Sequence, residues 1–306
     1  MNSEAIIECV PNFSEGSDPD KVRQIVTAMQ VPGVSLLDWS LDTAHNRSVV
    51  TIAGPAKAVV ESAACGAGKA AELIDLTRQN GVHPRIGSAD VIPFIPVSNA
   101  SLADCALLAR QAGLEIWRRY GIPVYFYGAA AARPDRVQLE DVRKGQFEGL
   151  RDAVRKDASR RPDIGGPELH ETAGASAVGA RNFLIAYNIH LKQPDVTAAR
   201  AIAREIRASN GGLHGVKALG VLANGRAQVT MNITDFKVTP MTRVYSRAAE
   251  LAHRHGVELD DSELIGLIPQ AAFDPDAEWI KRIPEFDPAL KVIERRLENP
   301  LDWIAG

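Results

Sequence analysis

Four groups of residues in this 306-residue chain have the types and spacing to do chemistry. The first is Gly81-Val82-His83-Pro84-Arg85-Ile86-Gly87, a loop bracketed by glycines in which the proline biases His83 toward extended geometry. Histidine takes and returns a proton near neutral pH, and Arg85 offers a planar fork for a carboxylate two residues away. A plain turn is the competing explanation. The second group is Asp38, Asp42, His45, Asn46 and Arg47, whose mixture of carboxylates, imidazole and guanidinium is richer than a solvated connection requires. The third runs from Asp163 to Arg181 and includes Gly165, Gly166, Pro167, Glu168, Leu169, His170, Glu171, Thr172, Ala173 and Gly174. Its small residues let a ligand approach the backbone, whose amides can donate to a polar ring; a Gly/Ala-rich linker would look the same. The fourth is Lys217 with Ala218, Leu219, Gly220 and Val221, faced by Gln228, Asn232 and Asp235 on a predicted hairpin partner. Gln228 and Asn232 are evenly spaced and share a sheet face.

Several classes of function are excluded or disfavoured. Neither a phosphate-cradling G-x-x-x-x-G-K-[ST] nor a strand-to-helix G-x-G-x-x-G occurs. None of the seven histidines sits in H-E-x-x-H or beside paired cysteines, so no metal site is expected. A net charge of −3 and a pI near 6.2 carry no nucleic-acid footprint. Cys9, Cys65 and Cys105 are odd in number and lack C-x-x-C spacing, which implies a reducing cytoplasm. The chain opens without a secretion leader, and no apolar run is long enough to span a bilayer.

The elements that must position these groups follow from patterning. A strand is predicted near residues 5 to 12, and Asp18-Pro19 starts a helix reaching about Gln30. Strands at Val34 to Leu37 and Ser48 to Ile52 flank the second group. A long Ala-rich helix follows from Pro55 to Arg78. After the His83 loop come a strand over Val91 to Pro96, a helix over Ser101 to Tyr120 with Gly113 as a weak point, and a strand over Val124 to Tyr127. Short helical pieces, notably Gln146 to Asp157, complete this half. The second half predicts a strand at Phe183 to Ile189, a helix at Val196 to Ala208, a hairpin about Asn224-Gly225, a helix at Met241 to His255 and a strand at Leu264 to Ile268. From residue 274 a Pro- and charge-rich tail reads as an appended arm. The order β-α-β-β-α-β recurs in both halves. The expected fold is therefore α+β, with two split β-α-β (ferredoxin-like) subdomains at 1–178 and 179–306, each a mixed sheet covered by helices on one face, and a ligand cleft between them.

The ordered set Glu8-Cys9-Val10-Pro11-Asn12-Phe13-Ser14-Glu15-Gly16, Asn46-Arg47, His83-Pro84-Arg85, Asp90 to Val97, Pro123 to Gly128 and Gly179 to Asn188 resembles glutamate formiminotransferases. The resemblance runs from about residue 6 to 270. It implies transfer of a formimino group from N-formimino-L-glutamate to tetrahydrofolate in histidine breakdown, folate held between two subdomains, and a homodimer. His83 falls on the family's catalytic histidine, and the segments Gly165 to Gly174 and Lys217 to Ala223 fall on its folate-contacting parts. Two positions depart from the pattern: Val82 stands where an acidic residue is frequent, and Ser40 where a second carboxylate follows Asp38. No fused cyclodeaminase follows, so the next folate step is expected to need a separate protein.

On this reading His83 acts as base and then acid. Asp38 or Asp42 stabilises the protonated amidine, Arg47 and Arg85 bind the donor's carboxylates, and Lys217 guides the anionic folate tail. A metal-dependent formiminoglutamate hydrolase and a non-catalytic folate-binding protein are the rival readings.

Overall fold

In the computed structural model, residues 4–43, 45–79, 81 and 84–303 are described. His83 and Val82 lie outside them, and with them the catalytic expectation at His83. The chain divides into two compact units, residues 4–181 with 300–303, and residues 182–299.

The first unit contains β1 (Ile6–Cys9), β2 (Asn12–Phe13), α1 (Pro19–Ala28), β3 (Ser35–Asp42), β4 (Arg47–Pro55), α2 (Ala56–Leu73), β5 (Ala89–Ser98), α3 (Leu102–Tyr120), β6 (Val124–Gly128), α4 (Leu139–Val142), α5 (Gln146–Lys156) and β7 (Ser176–Ala180). Asp18 caps α1 through bonds from the Asp20 and Lys21 amides, with Pro19 in the first turn. Ser101 and Asp104 close a reciprocal capping box on α3. The sheet order is β3-β4-β1/β2-β5-β7-β6. Its first four positions are antiparallel, while β7 pairs parallel with both β5 and β6. Ile7, Cys9, Ile52, Ile92, Phe94, Phe126 and Val178 point to one face, where α1, α2 and α3 bury them. Gly113, expected as a weak point in α3, is instead where the helix sits down on the sheet: a Cβ there would come within 2.8 Å of the Phe126 ring.

The second unit contains β8 (Ile185–Leu191), α6 (Val196–Ile206), β9 (Val216–Ala223), β10 (Arg226–Ile233), α7 (Met241–Arg254) and β11 (Leu259–Ile265). Its order is β11-β8-β10-β9. That is the arrangement of the first four positions of the other sheet, read from the opposite edge. The α+β class and the doubled β-α-β-β-α-β plan therefore hold.

Four details differ from the sequence expectations. The second sheet is wholly antiparallel, not mixed, because each of its two β-α-β crossovers skips one strand and the strand it skips runs the other way. Helices cover both faces of the first sheet at its β7-β6 end: Val142, Leu150 and Val154 pack on Val91, Tyr125 and Ala177 from the side opposite α3. The polar stretch from Asp38 to Arg47 is mostly strand, since Trp39 and Leu41 alternate into the core between polar residues. Helix α2 ends at Leu73, because Ile74 and Leu76 turn inward and the Leu76 amide bonds the Thr172 carbonyl. The tail after 274 buries Trp279 edge-on against Tyr187, ring centres 5.6 Å apart, and returns to the first unit with Leu301 bonded to Leu36. Among the described residues no helix is long and apolar enough to cross a membrane.

Candidate functional site

The stem of the His83 loop is bound from three sides. Ser14 gives its hydroxyl to the Gly87 carbonyl at 2.7 Å and its amide to Ser88. The Phe147 amide, at the start of α5, donates to the Arg85 carbonyl. The Ala175 amide donates to Ile86, and the Ser88 amide to Ala173. Gly87 and Gly174 face each other so closely that a Cβ on either would stand 2.1 Å from a carbonyl oxygen of the other segment, and Gly174 also has φ of +71°. Only glycine fits both positions. On the other flank, Gly81 packs on the turn between β3 and β4, where a Cβ would come within 2.8 Å of the His45 carbonyl.

Asp90 fixes the loop's exit. Between Asn12↔Val91 and Phe13↔Ala89 the ladder skips one residue, and that extra residue is Asp90. Such a bulge re-aims a side chain. Here it turns the buried carboxylate back to accept the Ile86 amide at 2.8 Å with one oxygen and to pair Arg143 with the other.

Strand register sorts the predicted residues. Asp42 stands opposite Arg47 and Asp38 opposite Thr51, all on the sheet face turned away from α1 to α3. Asp38 lies roughly 13 Å along the strand from Asp42. Asp42 caps its own turn, accepting the His45 amide at 3.0 Å and pairing the His45 ring at 2.6 Å. Asn46, with φ of +49°, accepts the Gly16 amide at 2.9 Å and so ties this turn to the chain after β2. Arg85 is buried: it donates to the carbonyls of Gln79 and Leu76 and to the side chains of Gln79 and Glu148. That geometry makes Arg85 a strut between the chain after α2 and α5. Ser40 is exposed beside Val49 on the same face as Asp38.

The same face carries residues that sequence reasoning did not single out. The pairings Pro93↔Gly179 and Gly179↔Tyr127 place Tyr127 there, and Arg143 reaches it through Asp90. Burial, then the neighbouring Arg143 guanidinium, brings Arg47 down to about 10, opposed by Asp90, Asp42 and Tyr127. It remains a cation at neutral pH. Burial likewise pushes the Tyr127 phenol up to about 12, so it stays a neutral donor. Cys9 and Cys105 are buried with thiols pushed up chiefly by desolvation, which removes them as nucleophiles.

The third group divides in two. Its end, His170 to Gly174, is a tight turn in which His170 Nδ1 accepts the Ala173 amide at 3.0 Å, and it forms the wall against Gly87. Its beginning, Gly165 to Glu168, is a surface loop in which Gly166, Pro167 and Glu168 are exposed. The fourth group belongs to the other unit. On the edge strand β9, Lys217, Leu219 and Val221 face away from α6, opposite Asn232, Thr230 and Gln228, while Ala218 faces the core and Gly220 receives α6. Gln228 and Asn232 do share a face. Among the described residues no group of three or more His, Cys, Asp or Glu is placed to hold a metal ion.

Comparison with known proteins gives these units a kinship. Residues 6–181 match the family described as "Formiminotransferase domain, N-terminal subdomain", and residues 186–294 match "Formiminotransferase domain". The chain is 40% identical over 295 residues to a Streptococcus pyogenes serotype M1 protein named Glutamate formimidoyltransferase, covering 95% of this chain and 98% of that one. It is 41% identical over 300 residues to the Thermoplasma acidophilum protein of the same name. A Gallus gallus Formimidoyltransferase-cyclodeaminase is 38% identical over 306 residues, which span 56% of that longer protein. With both units matched in order, the chain belongs to the formiminotransferase domain family.

Proposed function

We propose that the chain transfers the formimino group of N-formimino-L-glutamate to tetrahydrofolate, releasing L-glutamate and 5-formiminotetrahydrofolate in histidine degradation. The observation behind this reading is the similarity, across 95% of the chain, to proteins named Glutamate formimidoyltransferase. The clamped stem of the His83 loop gives it a mechanism. His83 accepts the proton lost from pterin N5 as the new C–N bond forms, and returns it to the glutamate nitrogen as the old one breaks. One histidine then serves both halves of the exchange, a contribution of roughly 10²- to 10⁴-fold. Asp38, half-buried on the face shared with Arg47, is the carboxylate for the protonated amidine, since Asp42 already accepts from His45. The exposed loop from Gly166 to Glu168 and the outer side of β9 at Lys217 are the surfaces for folate.

The same reading carries a homodimer, a cytoplasmic setting supported by three unbridged cysteines, and a separate cyclodeaminase acting next. The deciding experiment measures glutamate released from formiminoglutamate with and without tetrahydrofolate. Release that requires tetrahydrofolate and ignores chelator is expected. Folate-independent release abolished by chelator would establish the hydrolase instead.

A further inference from the structure

We propose that the outer face of α3 is where a second copy of this chain docks, helix against helix and antiparallel about a two-fold axis at Gln111. The inference rests on the homodimer proposed above, whose surface it names, and not on the transfer chemistry. Cys105, Ala109, Ala112, Gly113 and Ile116 turn α3 onto the rest of the unit. The opposite side of the helix presents Leu107, 67% exposed, and Leu114, 36% exposed, one heptad apart and in line. A single exposed leucine is ordinary. Two in line, with a cleft beside them, form a seam.

The cleft, of about 390 Å³, opens beside Leu114 and is lined by Arg110, Leu114, Phe126, Ala132, Asp163 and Ile164. Its charged members are engaged within the chain. Asp163 pairs the buried Arg136 at 2.6 Å and accepts the Phe126 amide at 2.8 Å. The Arg110 guanidinium lies 5.4 Å from the centre of the Phe126 ring and donates to the Ala131 carbonyl at 3.4 Å. What Leu114, Ala132 and Ile164 leave open is therefore an apolar seat, suited to an apolar side chain.

The occupant follows from the pattern of the helix itself. Leu107 and Leu114 are one heptad apart, Asp104 and Arg118 are two, and both pairs have their midpoint at Arg110-Gln111. An antiparallel copy centred there sets Leu107 of each chain on Leu114 and the cleft of the other, and Asp104 of each beside Arg118 of the other. Asp104, Gln111 and Arg118 fall on one flank of the leucine line, so the charge pairs run along one side of the seam. Arg118 is exposed and has no ion pair among the described residues, and Asp104 gives one carboxylate oxygen to Ser101 and keeps the other. The acidic first turn of one helix thus meets the basic last turn of the other, an arrangement the helix dipoles also favour. A patch that is its own complement closes as an isologous dimer. Because α3 packs on the sheet face opposite Arg47, the dimer leaves the candidate site open.

The test is sedimentation equilibrium of the full chain, wild type against Leu107→Glu, Arg118→Gln and Arg118→Glu, all at exposed positions. The wild type is expected to be a dimer whose Kd rises about 10- to 100-fold in Leu107→Glu, since each substitution counts twice across a two-fold seam. Arg118→Glu, which sets a like charge beside Asp104, is expected to weaken the dimer more than Arg118→Gln at low salt, with the gap closing at high salt. A second measurement reads the register. Gln111→Cys sits at the axis and is expected to oxidise with diamide to a covalent dimer on a non-reducing gel, whereas the wild type and Ser209→Cys, exposed on the second unit, give none. A wild-type dimer left unmoved by Leu107→Glu and uncrosslinked through Gln111→Cys overturns this surface and leaves the homodimer standing, while a monomeric wild type overturns both. Loss of tetrahydrofolate-dependent glutamate release is a separate result, and it overturns the transferase reading without touching the seam.

Discussion

The two units begin from the same strand order and use the sheet face away from their long helices differently. In the second unit that face carries paired, partly exposed side chains: His190 between Asp261 and Gln228, Arg226 on Asp260 and Asp261, and Asn188 on Glu263. In the first unit it carries Glu8, Asn12 and Thr51, all buried, and beside them the Arg47, Arg143, Tyr127 and Asp90 group. The difference traces to added chain. Residues between β5 and β8 supply α3, β6, α4, α5 and β7, which the second unit lacks, and these bring Tyr127, Arg143 and the wall at Gly174. A common scaffold thus acquires a buried polar corner through what is appended to it, as expected where function resides in sites grafted on folds.

The largest way to break this comparison is His83→Ala. Its kcat is expected to fall about 10²- to 10⁴-fold with folate binding retained, measured by turnover and by fluorescence titration of folate. Near-normal turnover would move the proton-transfer centre elsewhere.

Next comes the contrast between ion pairs. Asp90→Ala strands a buried guanidinium and removes the acceptor of the Ile86 amide, so urea unfolding should show a loss of about 3–5 kcal/mol. Asp261→Ala removes a carboxylate that is itself more than a third exposed, and a loss of about 0–1 kcal/mol is expected. Equal losses would mean that burial does not separate the two corners.

Two glycines sharpen the same point. Gly174→Ala meets the Ile86 carbonyl and needs positive φ, so it should destabilise by more than about 3 kcal/mol and lower kcat through the loop stem. Gly225→Ala, at φ of +75° with open space around it in the β9–β10 turn, should cost only about 1 kcal/mol and leave kcat untouched.

The smallest effect is in acid. The Arg226 hydrogen bond holds Asp261 below the usual carboxylate range. Its contribution is therefore present above the unfolded pKa, near about 3.9, and is lost as pH falls through the lower folded value. Asp261→Asn should flatten the acid limb of the stability profile slightly, by less than about 1 kcal/mol.

Much of this was legible in the residues. Asp18-Pro19, Ser101 with Asp104, and Asn224-Gly225 are local signals, and each sits where its chemistry predicts because a cap or turn is decided by atoms a few residues apart. The long apolar strands and the doubled element order were equally readable. Strand β7, Ser-Ala-Val-Gly-Ala, was not: its small residues have little strand preference of their own, and only the flanking β5 and β6 make it a strand. The same holds for the last turn expected of α2, where bonding to the Thr172 segment outweighs helix propensity.

By itself the sequence determined the caps, the turns, the doubled plan, the family resemblance and the position of the His83 loop, since these depend on local propensity or on ordered motifs. Only the tertiary structure decided that Arg85 ties the chain after α2 to α5 and that Arg143 pairs with Asp90. The bonds that join Arg85 to Glu148 and Asp90 to Arg143 span 63 and 53 residues of chain, and no local pattern encodes such meetings.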